Sequence, residues 1–145
     1  MRMTHSRMAN TIRVAGIGAA SIALVLTMPN SAQADTDEMA ICSTTGAWGQ
    51  VVADWWGADD RIDFKMTYGD TLADGHHMRV RLVTTDVNGT RKNWSWHSDT
   101  DGANNGNKTY ASYATNSSGI FGWGIQVGRF EGDSMLNSCT DWAGS

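Results

Sequence analysis

The stretch RIDFKMTYG, residues 61–69, alternates strictly: Ile62, Phe64, Met66 and Tyr68 fall on one side, Asp63, Lys65 and Thr67 on the other. A period of two is the mark of a β-strand with one buried face. The same alternation recurs in HMRVRLVTT (77–85), where Met78, Val80 and Leu82 oppose Arg79 and Arg81. No window of helical length carries a 3.6-residue apolar period, so the chain is restricted to strands and turns.

Further strands are expected over 47–56, 91–97, 108–115, 120–132 and 134–142, punctuated by Gly, Asn and Asp. Asn88-Gly89 marks a hairpin, and Asn-Ser-Ser-Gly at 116–119 marks another turn. About seven short antiparallel strands fit a single two-sheet sandwich, with a small barrel as the alternative. The single proline, Pro29, lies outside these strands, and 7 tryptophans supply bulk for a core.

The first 34 residues read as an export signal rather than as part of the fold. Arg2, Arg7 and Arg13 precede the apolar run VAGIGAASIALVL at 14–26, which is too short to cross a bilayer comfortably. Ala32-Gln33-Ala34 fits a small-residue cleavage site, so a Sec-type signal is expected to be cut after Ala34 and the chain secreted. Residues 35–41 are expected to form a flexible leader, and 42–145 the single domain.

Oxidising surroundings turn two cysteines into one disulfide, and with only two the pairing is forced: Cys42 to Cys139. Such a link ties the first strand region to the last. This signal style, the Gly- and Trp-rich strands and the lone disulfide together resemble small exported β proteins of high-GC actinobacteria. That resemblance implies no activity.

All 15 acidic residues follow Ala34, while three of the 11 basic ones precede it. The remainder therefore carries eight basic groups against 15 acidic, a formal charge of −7. Nucleic acid and anionic membrane surfaces are poor partners for such a chain, because it lacks a basic patch that would displace counterions. Another secreted protein or a glycan is the expected partner.

Catalytic patterns are scarce. Nucleophile elbows, phosphate loops and paired histidines at zinc spacing are absent from the sequence. His76 and His77 are neighbours, which point apart in a strand, and Asp59-Asp60 reads as a turn rather than a glycosidase pair. The sequons at Asn88, Asn93, Asn107 and Asn116 read as by-products of polar turns. No catalytic residue is assigned.

The segment NWSWHSDTDGANNGNK, residues 93–108, holds the binding candidates. Counted as an EF-hand from Asp99, it places Ala103, Asn104 and Tyr110 where an oxygen ligand, glycine and glutamate belong. Only a loose calcium site at Asp99 and Asp101 is left, and otherwise no cofactor is expected.

Trp94 and Trp96 depend on register. A two-residue turn at Asn88-Gly89 sets both outward beside Arg79 and Arg81; a three-residue loop (88–90) buries both with Met78, Val80 and Leu82. Burial is the favoured outcome, since it removes two indoles from water. Trp55 and Trp56 are adjacent, so one is expected to face outward and join a patch with Tyr113 or Trp123.

The leading expectation is a secreted, non-catalytic β-sandwich that binds another macromolecule: a subunit of an exported assembly, an inhibitor, or a toxin or its accessory. A carbohydrate-binding module using exposed tryptophans is the alternative, and a small secreted hydrolase the third.

Overall fold

The computed structural model describes residues 38–55 and 57–143, so the expected signal (1–34) and Trp56 lie outside the described residues. Among the described residues nine strands follow in order: β1 (Glu38–Thr44), β2 (Ala47–Asp54), β3 (Asp59–Asp70), β4 (His77–Thr85), β5 (Arg91–Asn93), β6 (His97–Asp99), β7 (Lys108–Ile120), β8 (Gly122–Glu131) and β9 (Ser134–Trp142). They form two antiparallel sheets, one ordered β1-β2-β3-β7 and the other β5-β4-β8-β9, with β6 also paired to β4. The architecture is a sandwich rather than the alternative barrel.

The alternation carries the inner faces. Ile62, Met66, Val51 and Ala114 of the first sheet meet Met78, Val80, Leu82, Trp123, Ile125 and Val127 of the second in one buried cluster. β1 and β9, the outer strands on one side, are joined by the Cys42–Cys139 disulfide, with the Cα atoms 5.9 Å apart. Beside that link the Ile41 amide donates to an Asp141 carboxylate oxygen at 2.8 Å. The expected tie between first and last strand regions is therefore present.

Three expectations change. Residues 38–41 are not leader but part of β1, paired with β2 from Glu38 opposite Ala53 to Thr44 opposite Ala47. Ala40 and Cys42 point inward and fill the core margin, and that burial is what draws the segment into the sheet.

Asn-Ser-Ser-Gly at 116–119 is not a turn between strands. It lies within β7, where the ladder with β3 jumps from Arg61 opposite Thr115 to Asp59 opposite Ile120. The extra residues make a bulge, closed by the Asn116 side chain accepting from the Ser118 amide and by Gly119 at φ +78°. The third change, the division of 91–97 into β5 and β6, raises the strand count to nine and shapes the site.

Candidate functional site

The β4–β5 hairpin closes through Asp86. Its amide donates to the Thr90 carbonyl at 3.2 Å, and its carboxylate accepts from the amides of Asn88 and Thr90, both at 2.9 Å. The loop between them holds Val87, Asn88 and Gly89, with Gly89 at φ +74°. A side chain is rarely tolerated at that φ, and glycine adopts it freely. The loop has three residues, but it sits one position earlier than 88–90.

Register follows from that loop. Val83 stands opposite Asn93, and the Trp94 amide donates to the Leu82 carbonyl at 3.1 Å. Trp94 therefore shares the inner side with Leu82 and Thr84. Its indole packs against the core, its Nε1 donates to the Thr84 hydroxyl at 3.1 Å, and the Lys92 ammonium covers its ring at 4.0 Å.

The ladder then slips. It resumes as β6 with Val80 opposite His97, so Arg81 alone spans the two residues Ser95 and Trp96. A bulge of one residue turns the side chains beyond it to the other face. Trp96 accordingly turns outward, with the Arg81 guanidinium 4.2 Å above its ring and Phe130 edge-on at 5.2 Å. The expectation that both indoles would be buried is corrected: Trp94 joins the core and Trp96 the outer face. His97, back on the inner side, lies 3.7 Å from the Tyr110 ring, and burial holds its imidazole below its usual pKa.

The outer face of the second sheet is built around these groups. Phe130 is 3% exposed there, covered by Trp96, by the His77 ring at 6.0 Å and by the Arg79 guanidinium at 4.5 Å. Arg79 is anchored by the Asp133 carboxylate at 2.9 Å and the Gly132 carbonyl at 2.8 Å. One row further along, Arg81 Nε and Arg91 Nη2 both donate to Gln126 Oε1, at 2.8 and 3.1 Å. Arg91 also lies 5.8 Å from the Trp142 ring.

Neither Arg81 nor Arg91 has a carboxylate partner among the described residues. Arg61, Arg79 and Arg129 are paired with Asp63, Asp133 and Asp74. Burial, and then the charge of Arg91, both make the Arg81 guanidinium harder to protonate than usual. In a chain with so large an acidic excess, two adjacent unneutralised arginines form a local cationic seat.

Other candidates are placed elsewhere. Trp55 is half-buried against the core, its Nε1 3.4 Å from the Ile120 carbonyl. Trp123 is buried and cannot join an exposed patch, while Tyr113, 56% exposed, lies on the outer face of the first sheet under the Arg61 guanidinium. A shallow depression of about 600 Å³ adjoins Tyr113, Asp54, Asp63 and Lys65; Asp54 and Asp63 stand opposite each other across the β2–β3 ladder, and Asp63 is paired with Arg61.

The Asp59 carboxylate accepts the amides of Asp60 and Arg61, which is turn chemistry. His76 is held by Asp74, with Arg129 at 3.0 Å and Glu131 at 3.7 Å.

Asp99 and Asp101 do converge, and a cation already lies between them. Lys108 Nζ is 3.2 Å from Asp99 and 3.0 Å from Asp101. Asp99 is 1% exposed and also accepts the amides of Asp70 and Asp101. Among the described residues no group of three metal-ligating side chains gathers. Lys108→Met strips a buried carboxylate of its counter-charge, and should lower stability measurably. Urea denaturation checks this. If Asp99 were instead a cation site, calcium would restore the variant's stability, whereas no rescue is expected.

The sequence pointed to Arg79, Arg81 and Trp96 but missed Arg91, Gln126, Phe130 and Trp142. Gln126 did leave a signal: it is a lone polar side chain at an outward position of the apolar and glycine-rich strand β8.

The fold and this face together define a small antiparallel β-sandwich, stapled by one disulfide, with a cationic and aromatic outer sheet face. No family model matches the chain, and neither a curated protein nor a solved structure matches it.

Proposed function

We propose that the chain is a secreted, non-catalytic binding protein that engages another macromolecule through the outer face of the second sheet. The convergence of Arg81 and Arg91 on Gln126, with no acidic partner among the described residues, carries this reading. Two like charges brought to one neutral oxygen repel each other, and a partner's anionic group would relieve that repulsion. The aromatic rings of Trp96 and Trp142 add area suited to an interface.

Three carboxylates with the chemistry for catalysis are engaged structurally, which accords with the same reading. Asp59 caps a turn, Asp99 neutralises Lys108, and Asp74 clamps His76 and Arg129. The carbohydrate-module alternative draws less support. Stacking on a sugar needs open indoles, yet Lys92 covers Trp94 and Arg81 covers Trp96.

The test is recovery of the chain from native culture supernatant in wild-type and Arg81→Gln/Arg91→Gln forms, sized by sedimentation. Wild type is expected in a complex larger than the monomer, and the double variant as a monomer. A wild-type monomer at every growth stage overturns the proposal, as does a complex indifferent to both arginines.

A further inference from the structure

We infer that Arg81 and Arg91 seat a carboxylate side chain of an acidic peptide segment on the partner, an assignment that rests on the binding reading above. Arg81 spends only its Nε on Gln126; among the described residues its two terminal amino groups make no hydrogen bond. They are not sealed from water either, because Trp123 Nε1 and Arg129 Nε are the buried unpaired donors of the described residues. Arg91 spends Nε on Asn93 and one terminal amino group on Gln126, and its side chain is exposed. The donors left over belong to two planar forks, the geometry that takes a carboxylate through paired N–H bonds.

The seat is fixed before any ligand arrives. Stacking on Trp96 at 4.2 Å sets the plane of Arg81, and Gln126, only 9% exposed, holds both guanidiniums from below. A glutamate at that position would have cancelled one of the two charges, as Asp133 cancels that of Arg79 two residues along β4. The neutral amide positions the charges and leaves them for an outside anion.

Peptide is favoured over a dense polyanion by charge. The domain is acidic overall, with 15 acidic groups against eight basic after Ala34, so a polyphosphate or sulfated polymer meets repulsion everywhere but at this seat. A single carboxylate fits a cationic spot that small. The neighbouring surface suits a peptide as well. Met135 is 49% exposed, and its sulfur would lie 3.4 Å from a Cβ at Gly128, in the row beside Phe130. Glycine at 128 makes room for the Phe130 ring, which lies 2.9 Å from where a Cβ would stand, so Phe130 and Met135 close up into one apolar strip.

The experiment uses the isotope-labelled folded protein, titrated with an end-capped peptide of alternating glutamate and leucine, and in parallel with inorganic phosphate and polygalacturonate. The peptide is expected to shift the Arg81 and Arg91 Nε–H and the Trp96 indole N–H resonances saturably. Arg91→Gln should weaken that binding about ten- to a hundredfold, the worth of one charge-assisted hydrogen bond. Arg61→Gln, whose charge is paired with Asp63 on the first sheet, should change it about threefold or less.

Peptide affinity unchanged in Arg91→Gln overturns the assignment. So does phosphate or polygalacturonate saturating the same resonances at equal or lower concentration, which would mark a general oxyanion or uronate seat. If the native complex still depends on both arginines while the peptide fails to bind, only the carboxylate assignment falls. If the native complex ignores them, the binding reading itself falls.

Discussion

Replacing Cys42 and Cys139 together by alanine should lower unfolding stability by about 4–5 kcal/mol. The link joins residues 97 apart in sequence, so it removes a long loop's closure entropy from the unfolded ensemble. Alanine is the better probe than serine, because Cys42 is only 4% exposed and a hydroxyl there would need a partner. Urea denaturation of the variant, and of wild type with and without reductant, supplies the measurement. The steepness of the transition should rise as the midpoint falls, since an unlinked unfolded chain exposes more surface. A loss below about 1 kcal/mol would mean that β1 and β9 hold together without the bond.

The second large effect is at Trp123. It is 1% exposed and heads the fully buried side chains, so Trp123→Ala should cost about 3–5 kcal/mol through lost transfer energy and the cavity left behind. Its indole N–H has no hydrogen-bond partner among the described residues. Keeping that donor buried and unpaired already costs the fold about 1–3 kcal/mol. Trp123→Phe removes that cost along with part of the ring, so its net loss should be well under half that of the alanine change. Thermal and urea unfolding of both variants decides the matter. A Phe loss of more than half the Ala loss would show that the N–H is satisfied in the folded protein, so that removing the donor brings no relief.

How much of this was legible in the chain depends on which residues are considered. RIDFKMTYG became the inner face of β3 without revision, and Met78, Val80 and Leu82 became that of β4. Residues 38–41 carry no such alternation, since Met39, Ala40, Ile41 and Cys42 are apolar in succession, and so they read as leader ahead of the disulfide. Pairing with β2 outweighed that, because Ala40 and Cys42 gain burial only if the whole strand is laid down. Asn-Ser-Ser-Gly is a turn by composition, and its Asn116–Ser118 bond and its glycine do form a local kink. The chain does not reverse there because β3 continues alongside as far as Asp59.

The tryptophan pair is the clearest case. In a regular strand Trp94 and Trp96 must share a face, so the local pattern offered two answers: both in or both out. The protein takes neither. One extra residue between the β5 and β6 ladders sends Trp94 to the core and Trp96 to Arg81. Each indole then has a covered environment of its own, which neither uniform register provides. Nothing within 93–97 encodes that slip, since it is chosen by how β4 can be paired on both sides at once.

By itself the sequence determined the all-β class, the inner residues of the regular strands and the single possible disulfide. Those come from a two-residue backbone period and from having only two cysteines, both independent of what lies across the sheet. The tertiary structure alone decided the hairpin register, the bulge before His97 and the meeting of Arg81, Arg91 and Gln126. That meeting joins three different strands, with Gln126 45 residues from Arg81 and 35 from Arg91 along the chain. Their convergence is a product of ladder registers summed over the whole sheet, and a shift of one residue in either pairing would turn the seat to the other face.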